Sequence, residues 1–129
     1  MQLKEGTMDY QQLTEVLDAE VLIDGAEVPG EFCKVISSDL ISDILMFIDE
    51  NAILLTGLVN PQIIRVAEMI DIGAIVFVRG KEPEESLIER AREQEVSLAI
   101  TDYTLYEASG KLYQRGLKSC QYGRSDDIN

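Results

Sequence analysis

From residue 34 onward the chain predicts an α/β fold, a three-layer α/β/α domain on a mainly parallel sheet, and three observations carry that prediction. Apolar segments of strand length alternate with segments of helical period. The connections between them are as short as those of right-handed βαβ units. One strand segment, "GAIVFV", is apolar without interruption, as expected where helices cover both faces of a sheet.

Taken in order, Thr7 is placed to cap a first helix over residues 8 to about 18, with Leu13, Val16 and Leu17 at helical spacing. "EVLIDG" reads as a strand ended by a turn, and "AEVPGEF" as a loop around Pro29-Gly30. "CKVIS" is the next strand. Ser37, Ser38 and Asp39 then precede a helix over residues 40 to about 49, whose Leu40, Ile41, Ile44, Leu45, Phe47 and Ile48 span roughly 160° of arc. After "AILLTG", Asn60 is a natural N-cap and Pro61 suits the first helical turn of a segment running to about residue 71. "GAIVFV" follows, and then a helix near Pro83 with Glu84 and Glu85 against the positive end of its dipole. "VSLAIT" is the last strand expected. A final helix runs from residue 103 to about 115 and stops near Gly116, with Asp102 as its expected cap. The whole of 1–129 reads as one domain, its core at about 8–117 and a polar tail over 118–129.

Composition narrows the function. There are 24 acidic residues against 11 basic ones, a formal charge of −13, which opposes phosphate backbones and argues against nucleic acid as a partner. The chain has no histidine, so His-based triads and His-ligated metals are excluded. Cys33 and Cys120 have no metal or redox spacing and read as free thiols. The N-terminus lacks a signal-peptide pattern and no apolar run reaches spanning length, so a cytoplasmic protein without membrane contact is expected. No catalytic constellation, metal site or cofactor is predicted. "TGLVNPQ" and "RGKEPEES" carry one glycine each and satisfy neither phosphate-loop pattern.

Every turn that follows a strand of a parallel sheet lies on one edge, where ligands bind. That edge collects Ser37, Ser38, Asp39, Thr56, Gly57, Asn60, Arg79, Gly80, Thr101 and Asp102 as candidate ligand-binding residues, with Arg79 the local positive charge. The same residue types also favour helix caps and turns, so both uses stay open. On the last helix Tyr103, Tyr106 and Tyr113 form a stripe beside Leu105, Ala108 and Leu112, with Gly110 between the last two tyrosines. Aromatics around a glycine allow another backbone to approach. With Met46, Ile64 and Met69, which sit off the main apolar stripes, the three tyrosines are the candidate interface residues.

The segments "SDLISDIL", "RGKEPEESLIERAREQEVSLAITD" and "ITDYTLYEASGKLY" together resemble the DRTGG domain over residues 8 to about 117. Such domains stand in some phosphotransacetylases, beside CBS domains in some pyrophosphatases, and alone. The resemblance implies a fold similar to the N-terminal domain of HPr kinase/phosphorylase. The Asp-Arg and Gly-Gly pairs that name the family are absent from "EFCKVIS", so no role of theirs carries over. What the resemblance implies is a non-catalytic regulatory or protein-interaction domain, homodimeric, with a larger metabolic enzyme as a further partner. The alternative is a sensor that binds an adenine nucleotide or another anion at the C-terminal edge of the sheet.

Overall fold

The computed structural model describes residues 6–24, 31–47 and 49–121. The loop expected around Pro29-Gly30, Ile48 of the expected helix, and residues 122–129 of the expected tail lie outside the described residues. The elements are α1 (Tyr10–Val16), β1 (Glu20–Ile23), β2 (Lys34–Ser37), α2 (Ile41–Ile44), β3 (Ala52–Thr56), α3 (Gln62–Met69), β4 (Ile72–Phe77), α4 (Glu85–Glu93), β5 (Ser97–Ile100), α5 (Leu105–Gln114) and β6 (Lys118–Ser119).

They build one six-stranded sheet in the order β1-β5-β4-β3-β2-β6. All neighbours are parallel except β1, which runs antiparallel to β5. From β2 to β5 the chain steps one strand at a time in the same direction, so right-handed crossovers put α2, α3 and α4 on one face. That face packs Ile44, Ile63, Val66, Leu87 and Ala91 against Leu54, Ile75 and Phe77. The opposite face packs Leu13, Leu17, Ala108 and Leu112, from α1 and α5, against Ile53, Leu55, Ala74 and Val76. Alternate residues of β3 and β4 thus feed two cores, which is why both strands are apolar along almost their whole length.

The helices end in a repeated way. Asp18, Glu95 and Gly116 adopt left-handed φ of 49°, 59° and 90° after α1, α4 and α5. The next N–H then reaches back to close a Schellman turn: Ala19 to Thr14 O, Val96 to Ala91 O and Leu117 to Leu112 O. Each closure stops the helix and aims the chain at the following strand.

Several expectations are corrected. Asp9, not Thr7, caps α1: its carboxylate accepts the Gln12 N–H at 2.8 Å, and the Gln12 side chain returns to the Asp9 N–H. The helix expected over residues 40–49 is a single turn. Met46 and Phe47 donate to carbonyls three residues back, which tightens the chain, and Leu40 is left 60% exposed. Residues 118–121 are not tail. Lys118 and Ser119 pair with β2, Cys120 is buried, and the Gln121 N–H donates to Asp49 Oδ2 at 2.6 Å.

Candidate functional site

At the strand ends the topology defines a crevice. The chain leaves β4 for α4 on one face and leaves β5 for α5 on the other, so the reversal point lies between residues 79–80 and 101–103. The crevice is closed by the protein's own backbone. Arg79 and Gly80 both take left-handed φ, 59° and 64°. In that conformation the Arg79 N–H donates to Tyr103 O at 2.8 Å and the Gly80 N–H to Thr101 O at 2.9 Å. The buried Thr101 hydroxyl donates to Leu17 O at 2.6 Å and accepts the Tyr103 N–H at 3.2 Å. The Asp102 carboxylate lies over Gly80, so close that an added Cβ would stand 2.9 Å from Oδ1.

Asp102 does not cap α5. Thr104 does: its Oγ1 accepts the Glu107 N–H at 3.1 Å, while Glu107 Oε1 accepts the Thr104 N–H at 3.1 Å. The deciding signal is the Thr-x-x-Glu spacing of "TLYE", a capping box readable in sequence.

One strand further, Asp39 Oδ1 accepts the Gly57 N–H at 2.7 Å and the Thr56 hydroxyl at 3.2 Å. Thr56 Oγ1 in turn accepts the Leu58 N–H. The Arg79 guanidinium packs across Gly57, where a Cβ would meet Nη2 at 2.8 Å. Asp39, Thr56, Gly57 and Arg79 are therefore brought together. The remaining candidates serve local turns: Ser38 Oγ accepts the Leu40 N–H, and Asn60 Oδ1 accepts the Gln62 N–H at 2.9 Å at the start of α3. Ser37 turns away to meet Ser109 of α5, hydroxyl to hydroxyl at 2.7 Å. The N–H groups of Gly57, Arg79 and Gly80, which an incoming anion would use, are already spent on internal acceptors.

A second concavity lies on the α1–α5 side. A groove of about 730 Å³ runs between α5 and strands β2 and β6, lined by Val35, Ile36, Phe47 and Leu117 together with the exposed Tyr106 and Tyr113. Those two tyrosines are 87% and 79% exposed. Tyr103 is different: it is half-buried, and the Lys111 ammonium sits 4.9 Å from its ring centroid. Lys111 and Lys118 also line the groove.

The six interface candidates do not share a face. Ile64 is fully buried in the core beneath α3 and offers no surface. Met46 and Met69 are 40% and 68% exposed, but they belong to the α2–α3 side of the sheet, opposite the tyrosines. Two ionisable groups away from the strand ends, Tyr10 and Cys120, are buried. Burial, with a smaller push from Asp24, raises the Tyr10 hydroxyl, which donates to Leu98 O at 2.7 Å. Burial, then Asp49, pushes the Cys120 thiol up to about 12, while Cys33 is exposed.

Topology and layers thus define a three-layer α/β/α domain with a mainly parallel sheet. Its fold is DRTGG-like: it superimposes on the crystal structure of the CBS and DRTGG domains of the regulatory region of Clostridium perfringens pyrophosphatase, complexed with its activator diadenosine tetraphosphate, with a TM-score of 0.67. The two share 20% sequence identity, a likeness of fold, over 84% of this chain and 47% of that one. This chain therefore spans about half the length of that structure. No family model matches the sequence. The comparison with curated proteins gives no match either.

Proposed function

We propose that this domain is a non-catalytic regulatory module that acts by protein interaction, associating as a homodimer and, through that dimer, with a larger metabolic enzyme. The observation that carries the reading is a contrast between two surfaces. The strand-end donors are consumed internally, whereas Tyr106 and Tyr113 stand almost fully exposed beside an apolar groove. Large exposed aromatics around a concavity mark interaction surfaces. Sedimentation velocity from about 1 to 50 µM tests it, since a specific interface holds at micromolar concentration. A dimer is expected, and a monomer throughout that range overturns the reading.

One observation favours a second reading, a sensor of adenine nucleotides or related anions at the strand-end edge. Arg79 places an exposed guanidinium over Gly57 there. The similarity to a regulatory region crystallised with diadenosine tetraphosphate supports the same ligand class. A nucleotide at 100 times its dissociation constant adds about 2.7 kcal/mol of stability. A thermal shift that Arg79→Ala abolishes would make the sensor reading the better one, and a flat response to adenine nucleotides would remove it.

A further inference from the structure

We propose that the homodimer forms by antiparallel pairing of α5 with α5 of a second copy, about a two-fold axis at Gly110, an assignment that rests on the self-association reading above.

The first argument is the glycine itself. Gly110 sits in the interior of α5, where glycine weakens a helix. Among the described residues nothing outside the surrounding turns of α5 itself lies within 4 Å of the place its Cβ would occupy, so no contact seen there requires it. A bare backbone facing outward between two exposed tyrosines is suited to another helix that approaches closely.

The second argument is self-complementarity. Tyr106 and Tyr113 are seven residues apart, which leaves them about 20° from alignment and about 10.5 Å apart along the helix, with Gly110 about 50° to one side of both. An antiparallel copy crossing at Gly110 sets position 106 of one helix opposite position 114 of the other, one residue from 113. Tyr106 of each copy then meets Tyr113 of the other, twice, on the same side of the contact. Such isologous pairing closes the assembly at two.

The third argument is charge. A chain of formal charge −13 repels its own copies over most of its surface. Helix α5 is an exception, because it carries Lys111 against the single acid Glu107, and Lys118 borders the groove beside it. Glu107 uses Oε1 in its own capping box and keeps Oε2 for a new partner. In the antiparallel pair Glu107 lies on the side away from the tyrosines, about 3 Å along the axis from the partner's Lys111, so the opposite charges meet twice.

The groove supplies the remaining area. A ten-residue helix against its copy falls short of the roughly 1,200 Å² that a specific interface buries. Ser109, bonded to Ser37 of β2, marks the tyrosine side of α5 as the side that overlooks the groove, so the two grooves adjoin where the rings pair.

Three samples test the assignment: the wild type, Tyr106→Glu/Tyr113→Glu, and Cys33→Ser/Gly110→Cys. Sedimentation velocity reads the dissociation constant, circular dichroism checks the fold, and mild oxidation followed by non-reducing electrophoresis reads trapping at position 110. The proposal expects a wild-type dimer, a dissociation constant raised at least about thirtyfold by the double tyrosine variant, and a disulfide-linked dimer from Gly110→Cys. A dimer that survives the tyrosine changes and gives no trapping overturns the α5 surface and leaves self-association standing. A monomeric wild type overturns both. Trapping is independent of the tyrosine variant, so a failure of that variant to fold still leaves the surface tested.

Discussion

Replacing Thr104 by alanine tests whether α5 starts where its capping box places it. Thr104 is extended, with φ −73° and ψ 168°, and its Oγ1 accepts the Glu107 N–H at 3.1 Å. The same hydroxyl is 3.2 Å from Glu107 Oε1, which also accepts the Thr104 N–H. Alanine removes the acceptor for one orphan helix N–H and one partner of the Glu107 carboxylate, and leaves that carboxylate near the positive end of the helix. Water reaches this exposed site and recovers part of the loss, so the cost is that of an ordinary N-cap, about 1 kcal/mol. For a domain of this size that lowers the melting temperature by about 3–5 °C. Asp102→Ala is the control. The Asp102 side chain lies over Gly80, outside the box, and its removal stays within about 0.5 kcal/mol. Urea denaturation followed by circular dichroism measures both, with Thr104→Ser expected to restore the wild-type midpoint. Equal losses for Asp102→Ala and Thr104→Ala would refute the assignment of the cap.

Gly73→Ala drives a methyl group into the Asn51 side chain and to 2.5 Å from Cε1 of the buried Phe32 ring, so a loss of about 2 kcal/mol is expected by the same denaturation assay. Tyr10→Phe removes the hydroxyl that donates to Leu98 O and reaches Ile23 O, at an expected cost of about 1 kcal/mol and with faster amide exchange in β1. Because burial raises the Tyr10 hydroxyl above its ordinary value of 10.0, the folded state keeps a proton that the unfolded chain releases; its contribution to stability is flat up to about pH 10 and falls above it, and that part of the fall is lost in the phenylalanine variant. Gly110→Ala should have opposite effects at the two ends of a dilution series: the isolated helix gains about 0.5–1 kcal/mol, seen as a higher melting temperature when dilute, while the added methyl groups weaken dimerisation when concentrated.

How far the sequence speaks depends on where each signal is stored. β3 and β4 are legible because every residue of "AILLT" and "IGAIVF" except Thr56 and Gly73 feeds one of two cores, and a run of that kind has few other uses. The broad apolar stripe over residues 40–48 misleads, since Leu40 and Leu45 are exposed and the turn tightens at Met46 and Phe47. Its length depends on tertiary contacts rather than on periodicity. β6 leaves no side-chain signature: Lys118 and Ser119 are both exposed and join the sheet through backbone groups alone. The direction of β1 is equally silent, because four residues pair as well antiparallel as parallel. At the strand-end edge the residue types are legible and their partners are not. Asp39 and Gly57 stand eighteen positions apart, and Ser37 and Ser109 seventy-two. Nothing local says that a carboxylate will occupy an N–H suited to an anion.

The two surfaces that differ so sharply have one topological origin. Stepping from β2 to β5 uses three crossovers, so one face of the sheet receives α2, α3 and α4 and its core is covered along most of its width. Among the described residues, α1 and α5 are the helices on the other face. Tyr10 ties α1 to β5 and to the end of β1, at one margin of the sheet. After β5 the chain must therefore travel the full width of that face to reach β6 beside β2, and a single helix of ten residues covers the rest of it. The groove is the space that helix cannot fill. The same reversal puts Arg79-Gly80 and Thr101-Asp102 side by side at the strand ends, where two backbone hydrogen bonds close the crevice that such a reversal ordinarily opens to a ligand. The fold thus spends its usual binding edge on holding β4 to β5. The outward side of α5, with its glycine and two tyrosines, stays exposed beside the groove, which is why the proposed self-association is placed there.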